Sequence, residues 1–353
     1  LLHSGPVTAV TDTGFDGCVV SGGGDGFLQV WERDGGESGA WVPGQRVSCC
    51  PGAINGLACM PATHTVVAAC ADGACRVFRI ADTAADDAGG SGAGGGLGQR
   101  QLGYSAYVLY RLTTLKGHTG EVMCVTGESW LVSGSQDGTA RIWDVTAGDC
   151  TQVLAGHESW VMGVAAAYGD GSGSAAGGAP CFVVTASGDK TARVYVDAGP
   201  APGGSATAPP AFRERGVLRG HEEMLLAAAI VPGANPLCAT GSDDRTVRLW
   251  SLSTPSLDCL AVLAGHSGPV CALRWHAPRA QLVTCGEGGQ VRFWRIAAAE
   301  HAAATATCVA ATPGLPAPPS GLADDALGAY ALAVAPLGLG STGLCCGLEG
   351  GSV

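Results

Sequence analysis

The chain has 353 residues, 46% hydrophobic and 14% charged, with 57 glycines; this supplies core material and many turns and excludes disorder throughout. The net charge of -11, with lysine only at Lys116 and Lys190, excludes a phosphate-binding surface of clustered basic residues, so no nucleic-acid partner is expected. The 16 cysteines contain no C-x-x-C pair and fall mostly inside apolar runs, as Cys18, Cys124, Cys181, Cys238 and Cys271 do; this points to buried free thiols in a cytoplasmic or other reducing compartment rather than to a disulfide framework.

Read in order, the chain repeats one pattern: a histidine, an apolar run, a second run holding Ser or Thr, a tight turn with Asp, and a third run closing on an aromatic. The first copy, residues 3–46, has His3, Ser21, Asp25 and Trp31. The second, 47–114, keeps Asp72 and Phe78 but has Cys50 and Ala68 at the histidine and serine positions. Residues 82–101, with their GGSGAGGGLG run, read as a flexible insertion before an outer strand from Tyr107 to Leu115.

The third copy, 115–153, is the clearest, with Gly117-His118, Ser133, Asp137-Gly138 and Trp143-Asp144. The fourth, 154–217, has His157, Thr185, Asp189 and Tyr195; glycine-rich or proline-rich insertions are expected within it at 169–180 and 198–210. The fifth, 218–262, has His221, Thr240, Asp244 and Trp250. The sixth, 263–300, has His266, Thr284 and Trp294 but Gly288 at the aspartate position, and an Ala/Pro-rich connector is expected over 301–325. In a seventh copy, 326–353, LCCGLEGGSV aligns with Val283 to Val291 and places its aromatic beyond the last residue. The chain is therefore expected to be a fragment whose last copy is truncated, with residues 1–2 supplying the end of its outer strand.

Short runs rich in Val, Ile, Thr and aromatics, bounded by Asp-Gly or Gly-Gly, predict antiparallel strands, and no helix competes. The most apolar late stretch, 326–340, is interrupted by Pro336 and is shorter than the roughly 20 residues that span a bilayer, so no membrane segment is expected.

The Gly-His and Trp-Asp marks, with closing aromatics 44–65 residues apart, resemble the WD40 repeat. The resemblance implies an all-β fold: a seven-bladed WD40 β-propeller of four-stranded antiparallel blades, as one domain over 1–353. It also implies that His, Ser/Thr, Asp and Trp join in one hydrogen-bonded chain inside each blade. The sets are His3, Ser21, Asp25 and Trp31; His118, Ser133, Asp137 and Trp143; His157, Thr185, Asp189 and Tyr195; and His221, Thr240, Asp244 and Trp250.

Each set also has the composition of a nucleophile, a base and an orienting carboxylate. An enzyme needs one such set, whereas this one recurs four times, and no G-x-S-x-G elbow is present, so no catalytic residue is expected. The glycine clusters lack a following Gly-Lys-Ser/Thr, and His64, His276 and His301 stand apart from one another, so neither cofactor nor metal is expected.

Three of the four methionines fall where each first strand begins. Counting three and five residues on from the histidine gives Glu121 and Met123, Trp160 and Met162, and Met224 and Leu226, with Arg245 nearby. Surfaces rich in Met and aromatics suit adaptable peptide recognition, although Met123, Met162 and Leu226 in particular also fit a core between neighbouring blades. The function expected is a non-catalytic scaffold or peptide-recognition platform for protein partners, within a larger protein or complex. The alternative is an accessory propeller of an enzyme, such as a ubiquitin ligase substrate receptor. WD40 receptors of that class often carry an arginine two residues after Trp-Asp, where this chain has Thr146, with Asp34, Ser253 and Ala297 in the other copies.

Overall fold

Runs of β-branched and small apolar residues, cut at glycine and aspartate turns, form strands throughout the computed structural model. It describes residues 3–15, 17–33, 40–83, 106–128, 130–168, 180–198, 211–233, 235–287, 289–297, 305–311, 334–336 and 344–346. Six four-stranded antiparallel sheets follow one another in chain order. Blade one holds β1 (Val7–Asp12), β2 (Cys18–Gly23), β3 (Phe27–Arg33) and β4 (Trp41–Ser48). Blade two holds β5 (Ile54–Met60), β6 (Thr65–Cys70), β7 (Ala74–Asp82) and β8 (Tyr107–Lys116). Blade three holds β9 (Val122–Gly127), β10 (Leu131–Ser135), β11 (Ala140–Asp144) and β12 (Asp149–Leu154).

Blade four holds β13 (Val161–Tyr168), β14 (Pro180–Ser187), β15 (Thr191–Asp197) and β16 (Phe212–Arg219). Blade five holds β17 (Leu225–Val231), β18 (Leu237–Ser242), β19 (Val247–Ser251) and β20 (Cys259–Leu263). Blade six holds β21 (Val270–His276), β22 (Gln281–Gly286), β23 (Gln290–Ala297) and β24 (Thr305–Ala311). A two-stranded sheet of β25 (Val334–Pro336) and β26 (Leu344–Cys346) follows.

The first strand of each blade touches the first strand of the next, and β25 touches both β21 and β1, which closes the ring of innermost strands. Closure removes the open sheet edge that a row of separate blades would expose. The second strands β2, β6, β10 and β18 are buried along their whole length, which is why they read as near-continuous apolar runs. The core lies between blades. Val20 and Leu28 of blade one meet Ile54, Val66 and Phe78 of blade two, and Val67 and Val77 of blade two meet Val122, Leu131 and Trp143 of blade three. In all six blades a bulge falls at the closing aromatic, between the third and fourth strands. Such an extra residue sharpens the twist each blade needs to pack on its neighbours.

The sequence reading differs at the blade edges. The expected connector 301–325 contains β24, which pairs along β23 as the outer strand of blade six. Its own residues, TATCVAA, have little apolar pattern, and the unpaired edge of β23 makes it a strand. β7 runs through Asp82 and β14 starts at Pro180, so the insertions at those places begin later and end sooner than expected. The rest of 82–101, 169–180, 198–210 and 301–325 lies almost entirely outside the described residues. Among the described residues, no helix is long and apolar enough to cross a membrane.

Candidate functional site

Blades one, three, four and five carry a polar chain that joins hydroxyl, imidazole and carboxylate inside the blade. In blade three, Trp143 Nε1 donates to Ser133 Oγ at 2.8 Å, Ser133 Oγ meets His118 Nε2 at 2.7 Å, and His118 Nδ1 meets Asp137 Oδ2 at 2.9 Å. Elementary chemistry fixes the proton order. A carboxylate can only accept, so the neutral imidazole carries its proton on Nδ1 and donates it to Asp137; Nε2 then accepts the proton of the Ser133 hydroxyl, whose oxygen accepts from the indole.

Blade one repeats the chain with Trp31, Ser21, His3 and Asp25 at 2.7, 2.9 and 3.0 Å. Blade five does so with Trp250, Thr240, His221 and Asp244 at 2.8, 2.8 and 2.6 Å. In blade four Thr185, His157 and Asp189 are joined at 2.7 Å each, but Tyr195 departs from the expected pattern: its hydroxyl donates to the Ala155 carbonyl at 3.4 Å.

These hydroxyls are no nucleophiles. Ser21, Ser133, Thr185 and Thr240 are at most 1% exposed, so no substrate can reach them. Burial holds His118, His157 and His221 below the ordinary histidine range, keeping them neutral inside the blade. Burial also opposes the charge on Asp137, yet hydrogen bonds from Thr139, the Thr119 N–H and His118 outweigh it and bring its pKa down to about 2.

The arginine two residues before the aromatic belongs to the same construction, a link the sequence only hinted at. A Cβ on Gly117, Gly156, Gly220 or Gly265 would stand 2.8–2.9 Å from the guanidinium of Arg141, Arg193, Arg248 or Arg292. The glycine before each of these histidines is thus room for an arginine, and Arg193 and Arg292 donate to the carbonyls of Gly156 and Gly265.

Two blades depart from the pattern. In blade six, Trp294 and His266 both hold Thr284, at 2.9 and 2.7 Å, while His266 Nδ1 is buried with no hydrogen-bond partner among the described residues. Burial, with a contribution from Arg292, lowers the His266 pKa to about 4. In blade two, Asp72 is paired with Arg76 in place of a histidine. Around that pair Cys49, Cys50 and Cys70 converge, their sulfurs all within 4.8 Å of one another. Hydrogen bonds from Cys49 and Cys70 push the Cys50 thiol down, and the proton Cys49 shares with Cys50 keeps Cys49 up. Residue-by-residue alignment of blade two would have revealed this cluster: Cys49 and Cys50 stand in the Gly-His positions, and Cys70 stands where blades three to five have Ser135, Ser187 and Ser242.

At the end of the ring where the innermost strands begin, Trp160 is 50% and Met224 43% exposed. Backbone bonds tie both to the turns beside them, Gly188 N–H to the Trp160 carbonyl and Asp243 N–H to the Met224 carbonyl, each at 2.9 Å. Met224 Sδ reaches toward Gly188, so the two lie on one continuous surface. Glu158, Glu222, Glu223 and Lys190 are exposed around them, with Lys190 Nζ 3.1 Å from Glu223. Arg245 is exposed in the turn next to Met224, with φ +66. Glu121 is half-buried and accepts from Asn55 Nδ2 at 3.4 Å. Met123, Met162 and Leu226 are half-buried on β9, β13 and β17 and turned less to solvent than Trp160 and Met224.

Comparison with known proteins agrees with this architecture. Residues 109–144, 148–195, 212–251 and 257–295 match the family described as "WD domain, G-beta repeat". Nuclear distribution protein PAC1-2 of Uncinocarpus reesii is 30% identical over 46% of this chain and 35% of its own length. The DENN domain and WD repeat-containing protein SCD1 of Arabidopsis thaliana is 29% identical over 52% of this chain but only 13% of its own length. The guanine nucleotide-binding protein subunit beta of rice, Oryza sativa subsp. japonica, is 25% identical over 59% of this chain and 53% of its own. The matched part thus spans about half or less of each relative. Among solved structures, the WD40 β-propeller domain of Doa1 superposes with a TM-score of 0.68 over 99% of this chain and 91% of that one, at 19% identity.

Proposed function

The chain belongs to the WD40-repeat β-propeller family, and we propose that it works as a non-catalytic platform that binds a protein or peptide partner. The family is typically non-catalytic, and the recurring polar chains are spent on holding blades together. The observation that carries the reading is the pair Trp160 and Met224, large apolar side chains 50% and 43% exposed and close together where the innermost strands begin. A solvent-exposed indole contributes little to folding but is the kind of anchor that dominates binding energy. The acidic residues around it, Glu158, Glu222 and Glu223, favour a partner with basic residues flanking an apolar side chain, in line with the net charge of -11. Glu121, Met123, Met162, Leu226 and Arg245 extend the same face.

The test is binding of immobilised peptides with Arg or Lys on either side of an aromatic or aliphatic residue, read together with thermal unfolding. Trp160→Ala is expected to weaken binding by about 2 kcal/mol or more, roughly 30-fold, with the melting point nearly unchanged. A large drop in melting point with unchanged binding would make Trp160 a packing residue and move the site elsewhere. One observation favours a second reading, in which the propeller is an accessory module of a longer chain with its own activity: SCD1 pairs WD repeats with a DENN domain, and the match spans only 13% of it.

A further inference from the structure

Blade two has lost the histidine, the hydroxyl and the indole of its sisters together, and three sulfurs stand in the space. Cys49 and Cys50 leave the end of β4, and Cys70 ends β6. Cys49 Sγ and Cys70 Sγ are 3.8 Å apart, and no pair of the three exceeds 4.8 Å. They are 3%, 7% and 0% exposed. A lone buried cysteine is ordinarily a small apolar filler, as Cys238 is. Three converging on one point are a different matter: among the described residues, no other three His, Cys, Asp or Glu side chains come together in this way.

The spacing fits a metal. A cation at the centre of a thiolate triangle with metal–sulfur bonds of about 2.3 Å needs sulfurs about 4.0 Å apart, close to what the side chains already provide. The donor set selects the ion. Zinc in a structural site takes four ligands, and the nearest carboxylate, Asp72, is already committed to Arg76. Three sulfurs and no further donor suit a soft cation that accepts low coordination. The Arg76 guanidinium lies near Cys50 and Cys70, where it offsets part of the negative charge of bound thiolates. Cys50, the most exposed of the three, faces the short loop to β5.

From this we infer that Cys49, Cys50 and Cys70 form a buried trigonal thiolate site for a soft monovalent cation of the copper(I) class. Binding replaces the thiol protons by the metal and releases them to solvent, with no change of oxidation state.

The test uses the full chain, reduced and under anaerobic conditions, titrated with copper(I) against bicinchoninate as a coloured competitor. One copper per chain is expected to resist the competitor and to give an ultraviolet thiolate-to-copper charge-transfer band. Cys70→Ser, which carries the residue of blades three to five, is expected to keep its melting point and lose affinity by about 100-fold or more, since even outer-shell changes cost 10–100-fold. Cys49→Gly, the residue of blades three to six, serves if that variant does not fold. Cys238→Ala is expected to bind as the unaltered protein does. Copper retained equally by Cys70→Ser or Cys49→Gly, no copper retained at all, several coppers spread over the other cysteines, or zinc(II) held in preference to copper(I) would each overturn the assignment.

Discussion

Replacing Gly288 by aspartate is expected to stabilise the protein, because blade six is the one copy in which the histidine keeps its hydroxyl partner and lacks its carboxylate. His266 Nε2 is occupied by Thr284 at 2.7 Å, and Nδ1 is buried with no partner among the described residues. A stranded buried polar group costs about 1–3 kcal/mol. In blades one, three, four and five the residue four after the hydroxyl is aspartate, and the next residue is left-handed, with φ of +75, +79, +68 and +66 at Gly26, Gly138, Lys190 and Arg245. Gly289, at φ +75, already has that conformation. In blade three the same carboxylate also accepts the backbone N–H groups of Thr119 and Thr139 at 3.0 and 2.9 Å.

A net gain of about 1–3 kcal/mol is therefore expected in urea unfolding of Gly288→Asp. Gly288→Ala serves as the control, because lost backbone freedom alone contributes about 0.4–1 kcal/mol. The His266 imidazole, followed by NMR, should titrate well above its present value of about 4 once a carboxylate faces it. If Gly288→Asp unfolds no later than Gly288→Ala, and His266 still titrates near 4, the proton order derived for these chains is wrong.

The converse change, Asp137→Ala, is expected to cost about 1–3 kcal/mol, since it strands His118 Nδ1–H and two backbone donors; Asp149→Ala, at the exposed start of β12, should cost far less in the same denaturant series. Stability should also fall with acid. His118, His157, His221 and His266 have folded pKa values below the unfolded 6.5, so the unfolded chain binds more protons as the pH drops through 6.5. The interval from 6.5 to about 4 at His266 alone corresponds to about 3 kcal/mol. Asp137 adds a second loss as pH falls from 3.8 through about 2. Urea midpoints that stay flat between pH 7 and pH 4 would contradict this.

The part of each blade that could be read from sequence is the hairpin of its second and third strands. Hydroxyl and indole are ten residues apart in all four blades where they bond, because a fixed two-strand register with one tight turn admits no insertion. The histidine lies outside that hairpin, and its distance from the hydroxyl varies from 15 to 28 residues as the loop between first and second strands lengthens. Alternation and turn residues predicted the strands, but β24 was hidden because its identity comes from the partner it pairs with. The arginine–glycine contact and the three-cysteine cluster each join residues on different strands, so they become legible only when the blades are aligned with one another position by position.

Blades two and six show two ways of losing the same polar chain. Blade six dropped only the carboxylate, and the cost remains visible as an orphaned imidazole nitrogen. Blade two kept the carboxylate and dropped its partner, which leaves Asp72, in an exposed turn, without a histidine to face. There the arginine two residues before the aromatic supplied the remedy. The guanidinium of Arg76 pairs with Asp72 while lying near Cys50 and Cys70. The carboxylate is satisfied, its pKa lowered by that hydrogen bond, and no histidine is needed. In blade two a charge pair stands where the other blades have the imidazole, and Cys49, Cys50 and Cys70 converge beside it.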